Sequence, residues 1–189
     1  MAKLAILASG SGSNFEALTV ALRGSCHEVC LLLCDRPGAM VLERAARLEV
    51  PARLISYKGR PKNEAESELA ELLEENGADL IALAGFMRLL GPELVRRFRG
   101  RLVNIHPSLL PAWPGTHSIE RAFAAGDNEL GVTVHLVDEG MDTGPILAQA
   151  RVPRQGDLAA TEAAIHATEH LLYSDVIINL LNNIAEKTC

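Results

Sequence analysis

The sequence is poor in aromatic residues and lacks long hydrophobic runs. Aromatic residues make up 4% of the 189 positions, so the core must be built mainly from Leu, Ala, Val and Ile. The apolar runs, as at 31–33 and 80–84, are far shorter than the roughly 20 residues that a transmembrane helix needs. The sequence therefore predicts no membrane partner.

Positive charge is also scarce. The chain has 18 Lys and Arg against 24 Asp and Glu, which gives a formal net charge of −6 at pH 7. A nucleic-acid surface needs clustered basic residues that neutralise phosphates. We therefore expect no nucleic-acid partner, whereas a small anionic ligand held by local donors remains compatible with this charge.

The four cysteines, Cys26, Cys30, Cys34 and Cys189, lack the spacing of a zinc site. Cys30 and Cys34 flank an apolar run, and we interpret these thiols as buried and reduced. The apolar start of the chain is followed by a Gly/Ser turn and a helical pattern, which favours a first strand over a signal peptide. These features predict a cytoplasmic protein.

Apolar and polar residues alternate between strand-like and helix-like patterns along the whole chain. The hydrophobic content of 48% is enough for a buried core, and the length suits one domain over 1–189. Strands are predicted at 3–9, 29–35, 52–56, 79–84, 101–106, 132–138 and 146–152. Helices are predicted at 14–23, 40–48, 62–76, 92–97, 118–125 and 159–181.

This order predicts an α/β fold with a doubly wound, mostly parallel sheet and helices on both faces. Strands joined by helices favour parallel pairing, and continuous apolar runs favour burial of both sheet faces. The last two strands predict an antiparallel edge. Since ligands of such sheets bind beyond the carboxyl ends of strands, we expect a site at the loops after Ser9, Ala84, His106 and Asp138.

The first of these loops has the sequence SGSGSN at 9–14, between a strand and a helix. Glycines and free N–H groups at a helix start can hold a phosphate. The loop is no P-loop, because Gly-Lys-Ser/Thr is missing, and Phe15 stands where a dinucleotide fingerprint has its third Gly. A single bound phosphate and a plain strand-to-helix turn both remain open.

A second group of polar residues combines an amide, an imidazole and a carboxylate. Alternation along a strand places Asn104 and His106 on one face, and Asp142 lies in an acidic loop at 138–145 whose spacing does not fit an EF-hand. The amide is a donor, the imidazole can exchange a proton near neutral pH, and the carboxylate can hold the imidazole charged. Two alternatives to a functional cluster remain: a histidine at a strand end whose hydrogen bonds are made within the protein, and an ordinary acidic turn.

Two further motifs have competing interpretations. Residues 85–90 place one Arg among apolar residues, which fits either a ligand pocket or a short packed helix. His166, Glu169 and His170 match the pattern H-x-x-E-H of some zinc enzymes. A surface pair on a helix is the more typical reading, and we predict no metal.

Six segments together resemble the phosphoribosylglycinamide formyltransferase family. They are SGSGSN at 9–14, AGFMRLL at 84–90, NIHPSLLP at 104–111, GVTVH at 131–135, DEGMDTGPI at 138–146 and TEHLLY at 168–173. The resemblance spans nearly the whole chain, and it implies a Rossmann-like formyltransferase domain with the phosphate site in the N-terminal half and the folate and catalytic loops in the C-terminal half.

The resemblance also implies roles for individual residues. The catalytic residues would be Asn104, His106 and Asp142, and the substrate would be held by Gly12, Ser13, Asn14 and Glu169. The folate would contact Lys62, Met87, Arg88, Leu89, Leu90, Asn104, Glu139, Gly140 and Asp142. Lys62 stands where many relatives have an Arg for the folate tail, and it offers a point charge in place of a bidentate fork.

The implied reaction is formyl transfer from 10-formyltetrahydrofolate, a co-substrate, to the amine of glycinamide ribonucleotide in purine biosynthesis. The implied partners are small molecules alone, and the implied form is a monomer or weak homodimer without a metal. The alternatives are a formyltetrahydrofolate deformylase, another folate-dependent formyltransferase and a non-catalytic nucleotide-binding module. A tRNA formyltransferase would also carry a second domain and a basic face, which this chain lacks.

Overall fold

A computed structural model describes residues 1–187, within which seven strands and six helices alternate. The strands are β1 (Lys3–Ala8), β2 (Glu28–Cys34), β3 (Ala52–Leu54), β4 (Leu80–Leu83), β5 (Leu102–His106), β6 (Glu129–Leu136) and β7 (Ile146–Pro153). The helices are α1 (Ser13–Ala21), α2 (Met40–Arg47), α3 (Lys62–Glu75), α4 (Pro92–Arg97), α5 (Ser118–Ala125) and α6 (Leu158–Lys187). The predicted order of elements is confirmed.

All seven strands form one sheet in the order β3-β2-β1-β4-β5-β6-β7. The first five strands in this order are parallel, and β6 and β7 pair antiparallel to their neighbours. The predicted doubly wound sheet with an antiparallel edge is therefore confirmed. Within residues 1–187, no helix is long and apolar enough to cross a membrane.

The sheet separates two hydrophobic cores, because side chains of a strand point alternately to opposite faces. Leu4 and Ile6 of β1 face the core that α1, α2, α5 and α6 cover, while Ala5 and Leu7 face the core under α3 and α4. Both faces of β1 are fully buried. This accounts for the continuous apolar run that the sequence shows there.

The chain reverses its direction of winding between β1 and β4, which are neighbours in the sheet. From β1 it proceeds outward to β2 and β3, and it then returns to β4 and β5 on the other side. The two loops that leave this point are joined, since the Ser9 N–H donates to the Gly85 carbonyl at 3.1 Å and the Met87 N–H donates to Ser9 Oγ at 2.9 Å. A crevice between such loops is the usual ligand site of doubly wound sheets.

The loop between β6 and β7 starts at the opposite end of the sheet from the other site loops. Because β6 is antiparallel to β5, the Val137 N–H meets the Leu102 carbonyl, at the start of β5, at 2.9 Å. The loop then folds back over the sheet. Gly144 permits this path, since a Cβ there would lie 1.8 Å from the Leu136 carbonyl oxygen.

Three local features depart from what the sequence suggests. Glu66 of α3 carries a charge, and charged side chains are rarely buried, yet it is buried and accepts the Gly91 N–H at 2.9 Å. Cys26 is exposed and Cys30 is only half-buried, whereas Cys34 is buried as expected; Cys189 lies outside the described residues. Helix α6 continues to Lys187, beyond its predicted end, because Ile184 still packs against the first core.

Candidate active site

A cavity of about 660 Å³ lies over the point where the winding reverses. Its walls come from the loops after β1, β4 and β5, from the loop between β6 and β7, and from α6. It is lined by 10–14, 83–90, 104–107, 115–120, His135, 137–138, 140–142, His166 and Glu169. The cavity thus brings the predicted phosphate loop and the predicted amide, imidazole and carboxylate into one space.

Asn104, His106 and Asp142 meet at one wall of this cavity. His106 Nδ1 lies 3.5 Å from Asp142 Oδ2. Asn104 Nδ2 lies 3.1 Å from Nε2 of His135, and that nitrogen is 3.7 Å from Asp142 Oδ1. The tertiary structure therefore gathers residues that are far apart in the chain into one polar cluster.

The positions of the ring hydrogens follow from the carbonyl groups that face the two imidazoles. His106 Nε2 is 2.9 Å from the Trp113 carbonyl oxygen, and His135 Nδ1 is 2.9 Å from that of Leu136. A carbonyl oxygen only accepts, so His106 carries a hydrogen on Nε2 and His135 on Nδ1. The other ring nitrogen of His106, Nδ1, lies 3.5 Å from Asp142 Oδ2, which is long for a hydrogen bond.

Asp142 is held as a carboxylate in a fixed position. Its backbone has φ 55°, in the left-handed region that few residues other than Gly, Asn and Asp adopt. The Gly115 N–H donates to its Oδ2 at 2.8 Å. The pKa of Asp142 is lowered most by a hydrogen bond from His135, which forms only when Nε2 of that ring also carries a proton. Burial opposes this effect, and the Gly115 N–H and the His106 ring lower the pKa further. The group is therefore ionised at neutral pH.

His135 belongs to this cluster, although only the GVTVH segment of the sequence pointed to it. It stands directly opposite Asn104 in the antiparallel pair of β5 and β6, and directly opposite residues on one face are close neighbours. It is buried to 2% exposure. The register of β5 against β6 would have revealed it, but sequence alone does not fix this register.

The glycine-rich turn at 9–14 contains Gly12, the N-cap of α1, where φ is 78°. No side chain caps this helix start, so its first N–H groups face the cavity and can bind an anion. The loop is tied to α2, since Arg44 Nε donates to the Ser11 carbonyl at 2.8 Å. Arg44 also forms an ion pair with Glu16.

We expect Gly12→Ala to weaken both the fold and the binding of a phosphorylated substrate. An added Cβ would lie 2.5 Å from Val41 Cγ2, and a positive φ disfavours alanine. Such overpacking typically costs about 1–3 kcal/mol. Chemical denaturation and KM would show this, with Gly10→Ala as the control, because a Cβ at Gly10 meets nothing within 4 Å. Equal stability and equal KM in the two variants would contradict the expectation.

Glu169 and His166 form the α6 side of the cavity. His166 Nδ1 lies 2.8 Å from Glu169 Oε2, which Asn14 Nδ2 approaches at 3.5 Å. One turn later on α6, the fully buried Tyr173 fixes the helix, with its hydroxyl 2.9 Å from the Val103 carbonyl and 3.1 Å from that of Leu83. Residues 1–187 contain no group of three or more His, Cys, Asp or Glu arranged to hold a metal ion.

The predicted folate residues divide into those at the cavity and those outside it. Met87 and Leu89 line the cavity and are 62% and 54% exposed, respectively. The Arg88 side chain is held by an ion pair, in which its Nε lies 2.6 Å from Asp35 Oδ2. The other predicted members at the walls are Leu90, Asn104, Gly140 and Asp142. Lys62 and Glu139 are not among the lining residues; they pair with Glu66 at 3.6 Å and with Arg96 at 3.3 Å.

Comparison with known proteins gives a consistent result. The formyl transferase family model matches residues 2–177. The chain is 45% identical to phosphoribosylglycinamide formyltransferase of Bacillus subtilis over 99% of this chain and 100% of that protein. It is also 44% identical to the trifunctional purine biosynthetic protein adenosine-3 of Drosophila melanogaster, over 97% of this chain and 14% of that protein.

A solved structure agrees with these sequence relatives. Glycinamide ribonucleotide transformylase 1 from Geobacillus kaustophilus superposes with a TM-score of 0.91 at 53% identity, covering 96% of this chain and 99% of that one. Fold, cavity and sequence relationships thus lead to one conclusion: the chain belongs to the formyl transferase family of enzymes.

Proposed function

We propose that this enzyme transfers the formyl group of 10-formyltetrahydrofolate to the amine of N1-(5-phosphoribosyl)glycinamide in purine biosynthesis. The observation that carries the proposal is the meeting of Asn104, His106 and Asp142 in the same cavity as the uncapped start of α1. A phosphorylated amine and a formyl donor would then share one enclosed space.

Asn104 and His106 are suited to stabilise the negative oxygen that forms when the amine attacks the formyl carbon. Asn104 has two amide N–H groups; one faces His135, and the other remains for the formyl oxygen. His106 can donate from Nδ1 once that atom is protonated, because Nε2 is already engaged by Trp113. Preorganised donors of this kind act on charge that develops in the transition state.

Asp142 has two tasks in this mechanism. Its carboxylate lies 3.5 Å from His106 Nδ1 and stabilises, by Coulomb attraction, positive charge on the ring while it donates to the oxyanion. It can also accept, directly or through a water, the proton that the attacking amine must lose. The new amide bond forms as the bond between the formyl carbon and the folate nitrogen breaks, and that nitrogen takes up a proton. Neither step needs a nucleophilic Ser or Cys.

The two ligands would occupy different walls of the cavity. Residues 12–14 would hold the phosphate through backbone N–H groups, and Glu169 would accept the ribose hydroxyls. Residues 87–90, together with the backbone of 139–142, would receive the folate ring. Lys62 is half-exposed on α3 and already near Glu66, so we propose that it meets only the outer, acidic end of the folate tail.

A direct assay tests the proposal. Purified protein, 10-formyltetrahydrofolate or its dideaza analogue, and glycinamide ribonucleotide should give deformylated folate and formylated ribonucleotide in equal amounts. Release of formate at the same rate without the amine would indicate a deformylase and would overturn the proposal.

A further inference from the structure

The charged end of Arg88 is held by two contacts of different kinds. Its Nε donates to Asp35 Oδ2 at 2.6 Å, and its guanidinium carbon lies 4.0 Å from the centre of the Tyr57 ring. A planar guanidinium can stack on an aromatic face while its edge donates hydrogen bonds. The two contacts therefore fix both the position and the plane of the group.

The backbone next to Arg88 is fixed as well. The Met87 N–H donates to Ser9 Oγ at 2.9 Å, and the Gly85 carbonyl accepts the Ser9 N–H at 3.1 Å. Arg88 follows β4 and Asp35 follows β2, and both of these strands pair with β1. The side chain is consequently restrained at its backbone and at its charged end.

Asp35 acts from behind the cavity wall. Its side chain is 2% exposed, and it is not among the residues that line the cavity. A buried carboxylate is costly unless its charge is paired. Within residues 1–187 its ion-pair partner is Arg88, and its Oδ1 has no hydrogen-bond partner. Burial raises the pKa of Tyr57 to about 12, so the neutral Tyr57 adds no second anion beside the guanidinium.

The rest of the Arg88 guanidinium is open to a ligand. The side chain is 40% exposed and lines the cavity, and in the described part of the chain its two terminal nitrogens make no hydrogen bond. These nitrogens carry the remaining N–H donors, in a fork that matches the geometry of a carboxylate. A guanidinium that is already fixed loses less freedom when it binds an anion.

We propose that Asp35 and Tyr57 are positioning residues that orient the Arg88 guanidinium in advance for the folate co-substrate. This inference rests on the proposed function, and it assigns an influence on folate affinity to two residues outside the cavity. Folate carries its negative charge on the carboxylates of its tail, so the orientation favours formyl donors that carry this tail. Since neither residue lines the cavity, formyl transfer itself should not depend on them.

The test compares KM and kcat for 10-formyltetrahydrofolate in the unchanged enzyme, Tyr57→Leu and Tyr57→Phe. Leucine removes the aromatic face without a change of charge, whereas phenylalanine keeps this face. We expect Tyr57→Leu to raise KM by about two- to tenfold, the usual cost of ordering one long side chain on binding, while kcat stays similar. Tyr57→Phe should restore the KM of the unchanged enzyme.

Asp35→Asn is a second variant that does not depend on the folding of Tyr57→Leu. Asparagine keeps the shape of the side chain but replaces the ion pair with a neutral contact. The loss of negative charge also attracts anions to this wall, and salt screens that attraction without restoring the orientation of Arg88. We therefore expect Asp35→Asn to raise the KM for the folate at high ionic strength, and an unchanged KM there would contradict the role of Asp35.

Two controls separate this role from a structural one. 10-Formyltetrahydropteroate lacks the acidic tail and should have the same KM in the unchanged enzyme and in Tyr57→Leu, whereas general damage to the fold would affect both donors. Phe123→Leu removes a comparable stack, in which the Arg154 guanidinium carbon lies 3.8 Å from the ring centre and neither residue lines the cavity. This variant should keep both KM values.

The possible failures of the two proposals differ. A KM for 10-formyltetrahydrofolate that is the same in Tyr57→Leu and in the unchanged enzyme would overturn the inference, and so would an equal rise for both donors. A lack of formyl transfer in the unchanged enzyme would instead overturn the proposed function.

Discussion

Asp142→Asn is expected to reduce kcat by about 10²- to 10⁴-fold, the usual contribution of general acid–base catalysis. Asparagine keeps the shape of the side chain, tolerates the positive φ at this position, and still offers an oxygen to the Gly115 N–H. The substitution removes the negative charge that lies 3.5 Å from His106 Nδ1 and the base that receives the amine proton. Steady-state kinetics of formyl transfer, with thermal unfolding as a check of the fold, would measure the effect.

The same variant has a predicted signature in stability. Since the folded-state pKa of Asp142 is lowered below 3.8, chiefly by His135, its charge stabilises the fold above pH 3.8 and this contribution is lost as the pH falls through the lowered value. Asp142→Asn should lack this component. Asp175→Asn, an exposed change of the same kind on α6, serves as the control, and a kcat for Asp142→Asn as high as in this control would contradict the proposed mechanism.

His106→Ala is expected to lower kcat by about 10²- to 10³-fold, as the loss of one oxyanion donor usually does. It should also destabilise the fold by about 1–3 kcal/mol, because the Trp113 carbonyl loses its buried partner. Binding of both substrates, measured by calorimetry, should persist, since the hydrogen bond and the ion pair of this ring go to Trp113 and Asp142 and not to residues 12–14 or 87–90. Near-normal turnover would remove His106 from the mechanism.

A double variant tests whether the two residues act as a unit. If Asp142 works largely through His106, then His106→Ala combined with Asp142→Asn should be little slower than the worse single variant, because groups that act together are not additive in their kinetic effects. Fully additive losses would indicate that the carboxylate acts on the amine proton independently of the imidazole.

Much of the fold could be predicted from local pattern. The apolar runs at β1, β2 and β4 identified buried strands, and the order of strands and helices predicted parallel pairing around one sheet. Glu66 was one of the exceptions, since its burial depends on the Gly91 N–H of a loop 25 positions away. Periodicity describes which residues share a helix face, but not which polar groups a distant loop leaves without a partner.

The candidate site was predictable to a similar extent. Strand alternation placed Asn104 and His106 on one face, and the glycine-rich turn pointed to an anion. The position of Asp142 was different, because the loop that carries it begins at the far end of β5. Its approach to His106 depends on the path of this loop. That path needs a glycine at position 144, because a Cβ there would collide with the Leu136 carbonyl oxygen.

By itself, the sequence determined the elements, their order, the glycine-rich turn and the identities of the chemical groups, since these follow from side-chain type and short-range spacing. The tertiary structure decided which groups meet. The register of β6 against β5 brings His135 beside Asn104, and the packing of α6 through Tyr173 places Glu169 and His166 in the same cavity as the glycine-rich turn. These contacts join residues separated by tens of positions, and their geometry is set by the packing of the sheet and helices as a whole.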